Sequence, residues 1–577
     1  MKRFSLVFSL AVLLLLGATF SAHGFSLLDN KLSISGYLQN QSSYRLGNES
    51  QWVSSENRLQ VEMVGKLHPN FVVAGTFRGT YDAIYDLRSS SGQWGQDYAG
   101  SRDALSKEAK VRELYVDTSL GGWDFRIGQQ QIVWGESDGL RLMDIINPLD
   151  MRRQFVTRDW EDIRIPQMLV KATYGIDPGS NSFLELVWNP GDVRRDRILA
   201  DTTMGEQNNS PWTVSNPALL EKLQIDNLTP LVPLLIPGGV PVPGLNPLLL
   251  GQAVDPGFSA LNTPFLRQQG ILEIAEDDPS WLNVRNSEFG GRLAGTLGGY
   301  FLTLNYYQGF SKTPVIRYEG GGISGADALV GLPAGILSTY ATNGLLGPPG
   351  SGAPPIGAVL PGYQGPYNAV SGNYPLRLRY DYPRETVVGF TFNKAVGLWV
   401  WRGEFATYLN KHYNKVAPQG WSNHISPINA AIEFTGDLVD DKIMQASMLG
   451  FDYKRSIDWL NPEKMFFISA QFFNYHIFDY DEELRSGPYM QQPRKDTYYL
   501  TLLINTGYHM ERINPEVLVV YDASATGWYI KPRVELRYGD HWRPELGALF
   551  FTGDDQELPF GEFDHKDEVY IRLKYQF

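Results

Sequence analysis

The sequence predicts a membrane-spanning antiparallel β-barrel of about 18 strands, with 16 as the lower bound. Three observations predict this fold class. Apolar and polar residues alternate with a period of two along many segments, short turns alternate with long loops, and the chain ends on an alternating segment whose last residue is Phe577. A closed barrel is required because the backbone N–H and C=O groups at an open sheet edge would have no hydrogen-bond partners in lipid.

The first 24 residues are predicted to be a cleaved secretory signal peptide. Lys2 and Arg3 precede an apolar run, and Ala22 and Gly24 are small residues that place the cleavage between Gly24 and Phe25. The alternative is an N-terminal membrane anchor, for which the run is short. An exported barrel is expected in the outer membrane of a Gram-negative cell. The sequence has no cysteine, so neither disulfides nor a lipid-anchored cysteine are expected.

The charge of the mature chain excludes one class of partner. Removing Lys2 and Arg3 from the 50 basic residues leaves 48 against 63 acidic ones, a formal charge of −15. Such a charge argues against nucleic acid. The many aromatic residues (31 Tyr, 29 Phe and 14 Trp) suit a protein that meets lipid on one face and water on the other. Residues 227–254 carry no charge, but six prolines exclude a transmembrane helix there.

The alternating segments predict the strands and leave connections of two kinds between them. We predict strands at residues 31–44, 57–67, 70–83, 109–119, 122–134, 167–176, 181–190, 285–297, 300–310, 385–395, 397–410, 444–456, 464–478, 495–509, 516–523, 527–538, 542–552 and 566–577. Short turns, two of them at Asn461-Pro462 and Asn514-Pro515, are assigned to the periplasmic rim and long loops to the outer rim. Residues 25–577 are expected to form a single domain with inserted loops 135–166, 191–284 and 311–384.

Loop 135–166 is the candidate constriction of the barrel lumen. It carries seven acidic residues and five arginines in near balance, as a confined site requires, since an unpaired buried charge is costly. The alternative is a surface cap held by the same ion pairs. The candidate residues are Glu136, Asp138, Arg141, Asp144, Asp150, Arg152, Arg153, Arg158, Asp159, Glu161, Asp162 and Arg164.

Two further loops, residues 227–254 and 328–376, are long, apolar and free of charge. Exposed apolar surface of that extent usually marks a contact site. These loops could hold a hydrophobic solute, lie against lipid, or pack on each other as a lid.

Gly135 to Gly139 match the hydrolase pattern G-x-S-x-G, which would make Ser137 a nucleophile. That pattern works on a strand-to-helix turn above a largely parallel sheet, and here no α/β pattern surrounds it. No His, Asp or Glu cluster has the spacing of a metal site. We therefore expect no enzyme activity, no cofactor and no metal.

One stretch resembles a known family. The run from Arg112 to Asp117, the segment RIGQQQIVWGESDGLRLMDIINPLD and the later DWEDIRIPQMLVKATY resemble the Gram-negative outer-membrane barrels labelled domain of unknown function 1302. The family has no agreed catalytic residues, so none carry over. The resemblance implies a link to periplasmic carriers and efflux-type transporters. The residues on the motif are Gln131, Trp134, Gly135, Glu136, Gly139, Asn147, Pro148, Glu161, Asp162, Arg164 and Pro166.

The sequence thus favours a channel or transporter that passes a small hydrophobic or amphipathic solute. The expected partners are outer-membrane lipid, the solute, a periplasmic carrier or efflux-type transporter, and the barrel assembly machinery, which would read the C-terminal strand. The first alternative is a plugged barrel whose loops serve surface binding or adhesion. The second is an outer-membrane hydrolase.

Overall fold

The structure is a computed structural model in which most of the barrel is described and several connections are not. The residues that it describes are 25–27, 31–47, 50–88, 101–153, 159–197, 211–212, 272–276, 283–320, 322–324, 376–416, 424–426, 431–433, 438–487, 491–554 and 559–577. The predicted signal peptide with its Gly24, and the apolar loops 227–254 and 328–376 except for Leu376, lie outside these residues.

Eighteen antiparallel strands form one closed barrel. Each strand pairs with the next along the chain, and the first pairs with the last from Tyr37↔Gln576 to Arg45↔Glu568. The strands are β1 Leu32–Arg45, β2 Gln51–His68, β3 Phe71–Asp82, β4 Lys107–Leu120, β5 Trp123–Gln130, β6 Gln167–Asp177, β7 Ser182–Asn189, β8 Glu288–Leu297, β9 Tyr300–Phe310, β10 Arg384–Val396, β11 Trp399–Lys415, β12 Val439–Ile457, β13 Asn461–Ile477, β14 Asp496–Asn505, β15 Ile513–Asp522, β16 Gly527–Leu536, β17 Trp542–Thr552 and β18 Glu568–Gln576. The predicted fold class is confirmed.

The other described elements are short. Two three-stranded sheets lie in the long connections, and no described helix is long and apolar enough to cross a membrane. The short strands are Phe25–Leu27, Leu272–Glu276, Val315–Gly320, Gly322–Ser324, Leu376–Asp381, His424–Ser426, Ala431–Glu433 and Leu484–Arg485, and the helices are Ile84–Leu87, Arg102–Leu105, Trp160–Ile163, Pro178–Ser180, Val284–Asn286 and Gly561–Lys566.

The connections differ between the two rims as the sequence predicted. At the rim where β1 begins and β18 ends, the eight turns have two to seven residues, whereas the opposite rim carries connections such as 83–106 and 131–166. Two predicted turns are wrong. Asn461-Pro462 opens β13 and Asn514-Pro515 lies in β15, so the chain turns at 458–460 and 506–512 instead. A proline can stand in a strand where its missing N–H is not needed by the ladder.

The strand predicted at 122–134 ends early, at Gln130. The backbone N–H groups of the next residues bond to side chains rather than to a neighbouring strand. Gln131 N donates to Glu113 Oε1 at 3.1 Å, and Ile132 N donates to Asn147 Oδ1 at 2.7 Å. Tertiary hydrogen bonds therefore detach this segment from the wall, although its sequence continues to alternate.

The two faces of the wall have opposite chemistry. On β9, Leu304 points outward and is 58% exposed, whereas its neighbours Thr303 and Asn305 point inward and are buried. Outward aromatic rings gather near the short-turn rim, where Trp399 stacks on Tyr453 with ring centroids 4.0 Å apart. Lipid surrounds the first face and the barrel interior holds the second.

An arginine at Leu304 should destabilise the barrel strongly, because the residue lies at mid-strand on the lipid-facing wall. We expect Leu304→Arg to lower the free energy of unfolding in lipid vesicles by about 2–4 kcal/mol. Leu297→Arg, beside the Gly298-Gly299 turn, is the matched control and should cost about 0–1 kcal/mol. Denaturant titration followed by tryptophan fluorescence measures both. Equal costs would mean that Leu304 does not lie at the membrane centre.

Candidate functional site

The described residues 131–153 and 159–166 of the connection between β5 and β6, hereafter loop 131–166, fold into the barrel and contact its inner wall. Its polar groups reach inward-facing side chains on two sides, from β2 to β4 and from β10 to β13.

An apolar cluster attaches the first half of the loop to the wall. Trp134 is 1% exposed, and its Nε1 donates to Glu185 Oε1 at 2.7 Å while its ring meets Tyr307 edge-on. A Cβ built on Gly290 would come within 2.7 Å of the Trp134 ring, so the wall needs glycine at this approach. The cluster comprises Ile132, Trp134, Leu142, Met143 and Ile146 from the loop with Leu169, Val187, Tyr307, Val387, Ala406, Ala446, Met448 and Phe473 from the wall.

Glu404 on β11 binds the backbone of the loop at two points, Glu136 and Met143. Its carboxylate accepts hydrogen bonds from the backbone N–H groups of Glu136 and of Met143, the latter at 3.1 Å. In turn, the Asn393 amide donates to both carboxylate oxygens of Glu136, at 3.0 and 2.8 Å. A buried carboxylate that accepts two backbone N–H groups fixes the path of this segment.

Arg402, also on β11, joins the loop to β12. It donates to the Glu136 carbonyl and to Asp138 Oδ2, each at 2.5 Å, and to Asp452 Oδ1 at 2.7 Å. Asp138 is held further by Gln471, whose Oε1 accepts from the backbone N–H of Asp138 at 3.0 Å. One guanidinium thus neutralises a loop carboxylate and a wall carboxylate together.

The far end of the loop is bound to the opposite wall by arginines. Asp162 accepts from Arg58 on β2 and from Arg78 on β3, each at 2.6 Å, through different carboxylate oxygens. Arg112 on β4 donates to the Glu161 carbonyl at 2.6 Å. All three arginines are buried, so these contacts offset desolvation that would otherwise be costly.

A third set of ion pairs lies nearer the outer rim. Asp150 pairs with Arg152 at 2.7 Å and with Lys110 on β4 at 3.7 Å, and Arg152 also reaches Glu108 at 3.2 Å. Burial opposes the charge on Asp150, but the hydrogen bond and charge of Arg152 hold its pKa below the ordinary value. Arg153 pairs with Glu56 on β2 at 3.2 Å.

Within the loop, Asp144 forms ion pairs with two arginines. Its Oδ2 lies 3.0 Å from Arg141 Nε and 2.6 Å from Arg164 Nε, so it joins the two halves of the loop. Asn147 adds a hydrogen bond to the Ile165 carbonyl at 3.0 Å. These contacts hold the loop in one compact piece.

Eleven of the twelve predicted residues are therefore described in contact with the wall, with each other or with the cavities below, and Arg158 lies outside the described residues. The partners that complete their charges were not singled out from sequence. They are Glu56, Arg78, Glu108, Lys110, Arg112, Asn393, Arg402, Glu404 and Gln471. Period-two alternation along each strand assigns these residues to the lumen face. It does not indicate which residues of the lumen face contact the loop.

Two cavities remain beside the loop, one above the other. The outer chamber, about 940 Å³, opens towards the long loops and is walled by the rings of Tyr475, Tyr499, Tyr529, Phe551 and Phe560. The inner chamber, about 620 Å³, opens at the short-turn rim. Its wall is charged, with Glu62, Glu113, Arg543, Arg572 and Lys574 among its residues. Asp159, Glu161 and Arg533 line both chambers, so the chambers meet at these three side chains.

Removing the Asp162 carboxylate should destabilise the barrel, because it leaves Arg58 and Arg78 buried with one anion fewer. We expect Asp162→Asn to lower the free energy of unfolding by about 2–3 kcal/mol, less than for a fully buried pair since Asp162 is 24% exposed. Glu511→Gln, which breaks an exposed pair with Lys464 at the short-turn rim, is the control and should change little. Denaturant titration in vesicles tests both. A neutral Asp162→Asn would mean that loop and wall are not coupled there.

Solved structures similar to this chain are outer-membrane proteins of low sequence identity. Pseudomonas aeruginosa OccK2 (OpdF) in complex with glucuronate has 7% identity and a TM-score of 0.41, over 97% of this chain and 99% of that one. Acinetobacter baumannii OccAB3 has 8% identity and a TM-score of 0.41, over 95% and 99%. Salmonella typhi OmpF in complex with daunomycin has 8% identity and a TM-score of 0.35, over 95% and 97%.

Sequence comparison identifies the family but adds no function. No curated protein matches the chain. The family model described as "Protein of unknown function (DUF1302)" matches residues 30–577, which confirms the resemblance seen in the sequence. The chain therefore belongs to this family of proteins of unknown function, DUF1302.

Proposed function

We propose that the protein is an outer-membrane channel for a small amphipathic or hydrophobic solute, with loop 131–166 as its constriction. The observation that carries this proposal is the succession of two chambers that meet at Asp159, Glu161 and Arg533. A barrel of 18 strands is wide enough for an aqueous channel unless its lumen is filled. Here the loop fills one side, and the chambers occupy the other.

The chemistry of the chambers supports an amphipathic solute. Aromatic and aliphatic side chains of the outer chamber would bind an apolar body, whereas the charged junction and inner chamber would select a polar end. The charges at the junction have both signs, so a strong preference for cations or anions is not expected. Delivery to a periplasmic carrier or efflux-type transporter is part of this proposal, because the inner chamber opens at the periplasmic rim.

The plugged barrel remains the second candidate, and one observation favours it. The loop is bound to both walls by its apolar cluster and by ion pairs at Asp138 and Asp162, as a permanent plug would be. Under that proposal the chambers are binding pockets and no current flows. We do not propose a hydrolase, and we expect the parent protein and Ser137→Ala to show the same background ester hydrolysis.

Single-channel conductance in planar bilayers tests the proposal. We expect a small conductance for the mature protein and a several-fold larger one when residues 137–165 are replaced by a short Gly/Ser linker, because the lumen is then unobstructed. The point variant Arg402→Ala loosens only the Asp138 end of the loop. It should give larger or fluctuating currents without removing the apolar cluster.

The control for these recordings is Lys464→Gln, which changes an exposed charge at the short-turn rim and should conduct like the parent. Equal currents in the parent and in both loop variants would contradict a constriction by loop 131–166. Silence in all of them would favour the plugged barrel.

A further inference from the structure

We propose that the seam between β16 and β17 is a lateral portal through which an apolar solute passes between the outer chamber and the surrounding bilayer. This inference rests on the proposed function and adds a route to it. Two features of the same wall sector support it: a ladder that proline interrupts, and an apolar groove on the lipid-facing surface that shares two lining residues with the outer chamber.

The ladder between β16 and β17 is interrupted at mid-strand. Pairing runs from Trp528↔Thr552 to Ile530↔Phe550 and resumes at Arg533↔Gly547 in the same register. Residues 531–532 and 548–549 form no ladder pair between these points. Interruptions on other seams, such as that between Tyr408 and Lys411, come with a shift of register and so reflect bulges.

Proline causes the interruption. Pro532 has no backbone N–H and cannot donate to β17, and prolines are ordinarily confined to edges and bulges of a sheet. The adjacent strands each carry another, Pro515 in β15 and Pro544 in β17. Three successive wall strands therefore contain residues that cannot contribute a full set of ladder bonds. This sector opens at a lower cost than a sector with complete ladders.

A groove of about 490 Å³ lies at this seam. Apolar residues that face the bilayer line it, among them Val517, Pro532, Val534, Leu546 and Ala548. The groove also reaches two inward-facing residues, Glu516 and Arg533, and both line the outer chamber as well. Glu516 and Arg533 therefore border the groove on one side of the wall and the outer chamber on the other.

Two inward-facing side chains, Arg533 and Tyr570, cover the seam on the lumen side. Arg533 pairs with Glu516 at 2.8 Å and with Glu545 at 3.5 Å. Tyr570 covers Gly547, where a built Cβ would come within 2.4 Å of its ring, and its hydroxyl donates to Glu545 at 2.8 Å. A side chain at Gly547 would exclude this ring, so glycine permits the closure. Rotation of Arg533 and Tyr570 away from the seam, together with separation of β16 from β17 beside Pro532, would open a path from the aromatic chamber to the groove.

A reversible disulfide across the seam tests the portal, and the absence of native cysteine makes the experiment clean. The variant Pro532→Cys/Ala548→Cys joins positions that face each other between the two paired segments. The probe is N-phenyl-1-naphthylamine, an apolar dye that fluoresces on entering a bilayer, added to Gram-negative cells that express the protein. We expect oxidation to slow dye entry to the empty-vector rate and reductant to restore it, while ion conductance in planar bilayers stays unchanged.

The matched control is Leu293→Cys/Leu304→Cys, an outward pair on the intact β8–β9 ladder, whose oxidation should leave dye entry unchanged. Ala548→Trp, which fills the groove without a cross-link, should also slow dye entry. Dye entry that is unaffected by oxidation and by Ala548→Trp, with normal conductance, would overturn the portal and leave the axial channel standing. Parent cells that admit dye no faster than empty-vector cells would also overturn it, and absent conductance would overturn the proposed function as well.

Discussion

The confinement of a highly charged loop inside a closed wall is the constraint on which the rest of this structure depends. Charges that leave water must meet opposite charges or hydrogen-bond donors. Asp162 accordingly lies between Arg58 and Arg78, and Arg402 lies between Asp138 and Asp452. Because the wall has no edge, the loop cannot satisfy its backbone by joining the sheet, and wall side chains do so instead.

This confinement makes the lumen asymmetric. The apolar cluster around Trp134 and Met143 fills the side bounded by β6 to β13, and the chambers remain against β13 to β18 and the first strands. The same unfilled side contains the prolines and the interrupted ladder. The lumen therefore has one side filled by the apolar part of the loop and another side that holds the two chambers. Arg533 borders both chambers and the groove, which makes it the residue through which axial and lateral routes would interact.

The barrel could be predicted from sequence because period-two alternation and turn chemistry are local properties. Even Leu304 and Thr303 are assigned to opposite faces by parity alone. The site could be predicted only in part. Balanced charge identified the loop, but Glu404 and Arg402 lie more than 200 residues from their contacts in the chain, and no local pattern joins them. The early end of β5 was missed for the same reason, since the side chains of Glu113 and Asn147 take its backbone donors.

The most direct test of the central claim, that loop 131–166 lies against the inner wall, is a disulfide between loop and wall. A Cβ built on Gly139 lies 3.8 Å from the Cβ of Thr501 on β14, which is the usual separation in disulfides. We expect Gly139→Cys/Thr501→Cys to form an intramolecular disulfide in the folded protein, seen as a mass decrease of about 2 Da on oxidation. Gly139→Cys paired with Thr303→Cys, an inward position on β9, should not. A loop that caps the barrel from outside would leave both pairs reduced, and that result would contradict the position of loop 131–166 against the inner wall.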